Sequence, residues 1–285
     1  MKKVLSISLG SSTRDHRAEI NILGEDFIIE RRGTDGDKAK ARRLFSELDG
    51  EFDAFGLGGI DLYIYSAGKC YVFRDAKNMI KNVKKTPVVD GSGLKNTLER
   101  KVLNDLQNKE NINLSNKKVL LVSAVDRFGM AEGFNKLGSE LIIGDLIFGL
   151  GIPLALNSIR SLEVVARLVA PVITKLPFEL VYPTGSKQEK ENKSQRYSKY
   201  YEKADIIAGD FHFIKKYIPD FLSDKIIITN TVTEEDINLL KNKDVNKLIT
   251  TTPDLKGRSF GTNVIEAVLV ALSEKSPSQL QIEDY

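Results

Sequence analysis

Cysteine is almost missing from this chain: Cys70 is the only one in 285 residues. A single thiol excludes an intrachain disulfide and a cysteine-rich zinc site. Histidine is nearly as scarce, and with only His16 and His212 a multi-histidine centre is all but excluded, so no metal is expected. Charge of one sign is lacking too. The 42 basic and 39 acidic residues leave a formal +3, too balanced to point to nucleic acid. Nor is there a long apolar run. The longest, Leu141–Leu156, is broken by Asp145, three glycines and Pro153, so no membrane span is expected. The start, Met1-Lys2-Lys3-Val4-Leu5-Ser6-Ile7-Ser8, has the look of a signal peptide, but serines interrupt its apolar run and Gly10 stops it. It reads as a first β-strand. A cytoplasmic enzyme or binding protein is the expectation.

What is present suits a globular chain. Hydrophobic residues make up 41% and charged residues 28%, enough apolar side chain for one large or two medium cores. The first ninety residues read as α+β. Val4–Leu9 is a strand, Ala18–Leu23 and Phe27–Arg31 form a hairpin, and Asp37 caps a helix over Lys38–Leu48. Strands follow at Asp61–Ser66 and, past Gly68, at Cys70–Phe73, and Asp75 caps a short helix to Lys85. A long helix runs from Ser92 to Asn108, and the polar stretch Asn108–Asn116 marks a boundary. Beyond it, short apolar runs at Val119–Val122, Leu141–Ile143, Phe178–Val181, Ile206–Ala208, Ile226–Ile228 and Leu248–Thr251 alternate with helical patterns at Ser161–Lys175 and Glu234–Lys241. That alternation predicts a doubly wound parallel sheet, covered by a last helix over Asn263–Glu274. The fold class expected is α/β: an N-terminal α+β substrate domain over 1–110 and a Rossmann-like nucleotide-binding domain over 111–285. The lysine-rich stretch Gly185–Lys203 is either a lid or an inert loop.

The strand from Lys118 runs into Ser123-Ala-Val-Asp-Arg-Phe-Gly129 and then a helix. A helix start presents free N–H groups and a positive dipole end, which suit a pyrophosphate. About twenty residues on, Asp145 follows the second strand, where an acidic side chain would grip a ribose hydroxyl. Ser123, Ala124, Asp126, Arg127, Phe128, Gly129 and Asp145 are therefore cofactor candidates. The glycine pattern is incomplete, with Ala124 and Asp126 in the first two glycine positions, and the Asp126 carboxylate would repel a diphosphate. A strand–turn–helix that merely packs is the alternative.

Just before the long helix stands Val89-Asp-Gly-Ser-Gly-Leu94. Followed by a helix, a polar stretch and a Rossmann strand, it resembles the shikimate/quinate dehydrogenase superfamily, in which an Asn-Thr-Asp-Gly-x-Gly segment precedes the linker helix. The resemblance covers Pro87–Asp145 and implies that Asp90 contacts substrate hydroxyls and works with a lysine. Val88-Val89 replaces the family's Asn-Thr, and its Pro-Phe-Lys setting is missing. Lys95 and Lys69 are the nearest lysines. Gly91 and Gly93 would border the substrate, although Asp90 with these glycines also suits a plain turn or N-cap.

Further loops fall at strand ends, where α/β ligands bind. Gly209, Asp210 and His212 are placed to border a nicotinamide or a substrate, and Arg258 to pair with a substrate carboxylate. Gly56-Leu-Gly-Gly-Ile-Asp61 could line the cleft opposite the Rossmann turn. The N-terminal Gly10-Ser-Ser-Thr13 is similar to the first phosphate loop of acetate-kinase-like enzymes and would cradle an anion. The expected function is an NAD(P)-dependent oxidoreductase on a small polyhydroxylated or amino-acid-like metabolite, with NAD preferred to NADP because of Asp145. A non-redox binding or regulatory protein, or an ATP-dependent phosphotransferase, are the alternatives. The partner expected is a small molecule, not nucleic acid or membrane, and the chain is compatible with a homodimer.

Overall fold

A computed structural model describes residues 1–66, 69–180, 197–252, 260–273 and 275–279. The first sheet is built from β1 (Lys2–Ser8), β2 (His16–Ile22), β3 (Glu25–Gly33), β4 (Ala54–Gly58) and β7 (Val88–Val89), in the order β2-β3-β1-β4-β7. Only β2 runs antiparallel, pairing with β3 as the hairpin expected; β1 pairs in parallel with β3 and β4, and β4 with β7. Between these strands come α1 (Lys38–Glu47), a ribbon of β5 (Tyr63–Ser66) and β6 (Lys69–Val72), and α2 (Arg74–Ile80). Asp37 caps α1 by accepting from Lys40 N. Asp75 does not cap α2. It lies in the helix's first turn, pairs with Lys38 at 2.7 Å and accepts from Phe178 N.

The second sheet follows α3 (Ser92–Asn108). It consists of β8 (Lys118–Leu121), β9 (Glu140–Ile143), β10 (Ile206–Gly209), β11 (Ile226–Thr229) and β12 (Lys247–Thr250), all parallel, in the order β12-β11-β10-β8-β9. Numbered by chain order this is 2-1-3-4-5, a doubly wound sheet. Its central strands β8, β10 and β11 are buried on both faces, as a parallel sheet requires, while β12 at the edge is only partly buried. Leu120, Ile207 and Ile227 point to one core, while Val119, Leu121, Ile206, Ala208 and Ile228 point to the other. The second core takes α4 (Phe128–Lys136) through Met130 and Phe134, α3 through Leu103 and Leu106, and α5 (Ile159–Ile173) through Leu162. The first takes α6 (Ser198–Lys203), α7 (Phe211–Tyr217) and α8 (Glu234–Asn242).

Three further expectations change. Phe178–Leu180 is a 3-10 turn and not a strand; Phe178 is buried edge-on against Phe73, 5.3 Å between ring centroids. Of Gly185–Lys203, residues 198–203 form helix α6; most of the rest, like the expected Gly68 turn, lies outside the described residues. The last helix, α9 (Thr262–Ser273), covers the first sheet and not the second. Val264, Ala267, Val268 and Ala271 pack on Val4, Phe27, Ile29 and Ala54. The opposite face of that sheet, with Leu5, Ile7, Phe55 and Leu57, is closed by α1 and α2. Gly91 makes the approach of α9 feasible: its φ is +92°, and a Cβ there would lie 2.5 Å from Thr262 Oγ1. Among the described residues, no helix is long and apolar enough to cross a membrane.

Candidate functional site

Each sheet has a point where the chain leaves a central strand to opposite sides: between β1 and β4 in the first, between β8 and β10 in the second. Crevices at such points, outside the carboxyl ends of the strands, are where open α/β sheets bind ligands. Here both open into one cavity of about 140 Å³. Ser8 and Gly58–Asp61 line it from the first sheet, and Asp126, Arg127, Asp210 and His212 from the second. Of the expected Gly56–Asp61 loop, Gly56–Gly58 are instead the end of strand β4, and Gly58–Asp61 face the Rossmann turn across the cavity.

Helix α3 contributes Lys95 to the cavity wall. Lys95 and Glu99 are one turn apart and so share a face, and both are buried, at 7% and 1% exposure. Opposite them the β8–α4 turn presents two neighbours of complementary sign. Lys95 Nζ donates to Asp126 Oδ1 at 2.6 Å and to Asp61 Oδ1 at 2.8 Å. Arg127, fully buried, donates to Glu99 Oε1 and lies 3.4 Å from Asp210 Oδ2. Asp210 caps α7 by accepting from His212 N at 2.9 Å, and His212 Nε2 meets Arg14 Nη1 at 3.1 Å. Charged and polar side chains therefore line the cavity from Asp61 to Arg14.

The environment sorts the protons among these side chains. Burial disfavours the charged form of Lys95, but the Asp126 and Asp61 carboxylates outweigh it and hold the ammonium well above its ordinary range. One ammonium compensates one carboxylate. Burial, with the Asp126 charge beside it, pushes the Asp61 carboxyl up to about 8, so that group exchanges its proton near neutrality. Burial, helped by Arg14 and opposed by Asp210, lowers His212 to about 4. Its ring is neutral at physiological pH. An arginine only donates, so Nε2 is the acceptor and the ring proton sits on Nδ1.

Asp90 lines the cavity, but its carboxylate already accepts from Leu62 N at 2.6 Å, Ser92 N at 3.0 Å and Ser92 Oγ at 2.9 Å. It ties the start of α3 to the loop after Asp61, which is the turn-and-cap alternative. Lys69 is exposed on β6 and does not line the cavity, because the β5–β6 ribbon carries it to the surface. Gly91 and Gly93 lie at the start of α3 and are not among the cavity-lining residues; Gly91 packs on α9. Arg258 lies outside the described residues.

The expected phosphate turn is filled from within. Asp145 Oδ2 accepts from Ala124 N at 2.9 Å and its Oδ1 from Val125 N at 2.8 Å. The carboxylate expected on a ribose is instead seated where an anion would be held. Burial raises it to about 6 against the lowering effect of those two N–H groups. Ser123 Oγ accepts from Asp210 N, and Gly209, with φ +132°, packs against Val122 and Ser123 behind the cavity wall. Phe128 packs into the core. Gly129 lets α4 meet α3: a Cβ would lie 3.0 Å from the carbonyl oxygens of Lys95 and Asn96. As folded, the turn does not fit a diphosphate. A second, apolar cavity of about 120 Å³ adjoins the first at Asp61, Asp126 and Phe178, between the ends of β8 and β9 and the face of α5.

The N-terminal serine loop is no phosphate cradle either. Gly10 N donates to Ser8 Oγ, Ser12 N to Asp35 Oδ1 and Thr13 N to Ser11 Oγ, so its amides are spent internally. Sequence reading passed over Arg14, His16 and Glu99. A signal existed for the first two, since Arg14-Asp-His16 closes the loop that follows the carboxyl end of the first strand.

The chain belongs to the family described as Domain of unknown function (DUF8754), whose model matches residues 93–285; a second model, DUF8753, matches residues 3–90. The two meet at the start of α3. No curated protein matches the sequence. Among solved structures, the NAD-dependent malic enzyme of Thermotoga maritima is 16% identical, with a TM-score of 0.34, over 89% of this chain and 66% of its own. The hetero-hexameric glutamate dehydrogenase of Thermus thermophilus is 11% identical, with a TM-score of 0.40, over 99% and 70%. The L-tryptophan dehydrogenase of Nostoc punctiforme is 15% identical, with a TM-score of 0.34, over 88% and 62%. The chain spans 66% and 65% of two malic enzymes that it matches, just under two thirds of their length.

Proposed function

We propose that the cavity is the active site of an enzyme acting on a small polyhydroxylated or amino-acid-like metabolite, with Lys95, Asp61 and Asp126 moving the proton of its reacting group. The carrying observation is the buried Lys95 ammonium, 2.6 and 2.8 Å from two carboxyl groups at the switch points of both sheets. A substrate oxygen set against Lys95 has its developing negative charge stabilised by a desolvated cation. Asp61, titrating near neutrality, takes or returns the proton.

This proton transfer serves two reactions. The first reading is dehydrogenation, with a nicotinamide dinucleotide as electron carrier. The apolar cavity beside Asp126 suits a planar ring, whereas the β8–α4 turn does not suit the diphosphate while Asp145 occupies its amides. That occupancy favours the second reading, proton transfer without redox chemistry. With Asp145 turned onto the backbone, the basis for preferring NAD to NADP falls away.

A thermal-shift panel of NAD, NADP and ATP separates the readings, because a ligand bound only to the native state raises its melting temperature. Stabilisation by a nicotinamide dinucleotide supports dehydrogenation. The absence of any dinucleotide effect removes it and leaves the second reading.

A further inference from the structure

Among the described residues, four full cations line the cavity, and three are answered by carboxylates. Lys95 has Asp61 and Asp126, Arg127 has Glu99 and Asp210, and Arg31 lies 2.9 Å from Asp15. Arg14 is the exception. Among the described residues its guanidinium meets only the neutral His212 ring, at 3.1 Å, and no carboxylate. A guanidinium carries five N–H donors, so most of its capacity is unspent. On the same wall His16 Nε2 is buried without a hydrogen-bond partner among the described residues. A buried ring nitrogen left unpaired is costly, on the order of 1–3 kcal/mol, unless something binds there.

We infer that Arg14, with His212 against it and His16 lining the same cavity, forms a subsite for the single carboxylate of the substrate, separate from Lys95. The inference rests on the enzyme reading and narrows it to hydroxy or amino acids bearing one free carboxylate. Charge count sets the class. The one cation unanswered among the described residues matches one negative charge, and the nearby Asp210 carboxylate opposes a doubly charged phosphate. The guanidinium fork matches the two oxygens of a carboxylate. His212, held neutral by burial, keeps Arg14 in place by accepting one of its N–H groups without consuming its charge. The carboxylate anchored there leaves the rest of a small ligand to extend toward Lys95.

Both histidines of the chain lie on this wall, so a histidine-selective NMR spectrum of the full-length protein reports on the subsite alone. The probes are gluconate and serine, their neutral counterparts sorbitol and serinamide, and inorganic phosphate. We expect gluconate or serine to shift both ring signals, and neither neutral counterpart to do so. Arg14→Gln, checked for an unchanged melting temperature, should weaken the response about tenfold or more, the loss of one charge-assisted contact. Arg14→Lys should recover part of it. No response to either carboxylate, an equal response to sorbitol, a stronger response to phosphate, or an unaltered response in Arg14→Gln would each overturn the subsite. Lys95→Gln separates this inference from the enzyme reading. Binding retained in Lys95→Gln and lost in Arg14→Gln upholds the subsite whatever reaction the cavity performs.

Discussion

Lys95 is buried with Asp126 and Asp61 within 3 Å, and removing one member of such a cluster leaves charge with no answer. Truncating one partner of a buried pair costs roughly 3–5 kcal/mol, mostly the penalty of the stranded charge. Lys95→Gln should therefore lower stability by that order in chemical denaturation, whereas Lys95→Gln combined with Asp126→Asn should recover much of it. If the single and double variants are equally unstable, the two residues are not coupled as described. His212 supplies a pH signature. Its folded value near 4 lies below the ordinary 6.5, so its contribution to stability is present above pH 6.5 and is lost as pH falls through 4. The His212 ring should titrate near pH 4 by NMR, and Arg14→Gln should raise that midpoint by removing the adjacent cation. A midpoint near 6.5 in the parent protein would show that the ring is neither buried nor beside Arg14.

At the scale of elements, the β8–α4 turn decides what the second sheet can bind. Asp145 spans two backbone N–H groups, and hydrogen bonds to a charged acceptor contribute about 1.5–3 kcal/mol each. Asp145→Ala should cost stability of roughly that size and open the turn to anions. Inorganic phosphate should then raise the melting temperature of the variant but not of the parent; equal responses would mean that the turn is not plugged. Much of this element was legible in advance. The strand, the turn, the helix and the position of Asp145 all follow from patterning and spacing. Which way a carboxylate points does not, since spacing fixes a residue's place along the chain and not its rotamer. Asp126 was suspect as a pyrophosphate neighbour and turns out to face Lys95. Gly129 carries a nucleotide-motif spacing but serves helix packing. Phe178–Leu180 shows the limit of short apolar runs, whose length does not separate a strand from a buried turn.

For the whole molecule, the alternation of strands and helices after residue 117 announced the parallel sheet, and the hairpin and first helix were equally plain. The destination of α9 was not. Its apolar residues say that it is buried, but nothing in their period says against which sheet. Its return to the first sheet brings Asn263 Nδ2 within 2.7 Å of Ser6 Oγ and helps wall the cavity from the C-terminal end of the chain. Lys95 was a sequence candidate because it stands just past the Asp90–Gly93 segment, whereas Arg14 joins the same cavity only through the fold. The central claim is that a small acid binds here with its reacting group on Lys95. Its most direct test is the melting temperature of the parent and of the Lys95→Gln, Asp126→Asn double variant across a panel of small hydroxy and amino acids. At least one acid should stabilise the parent clearly more than the double variant, in which Arg14 still holds the carboxylate but nothing meets the reacting group. A panel that stabilises neither protein, or both equally, would contradict the claim.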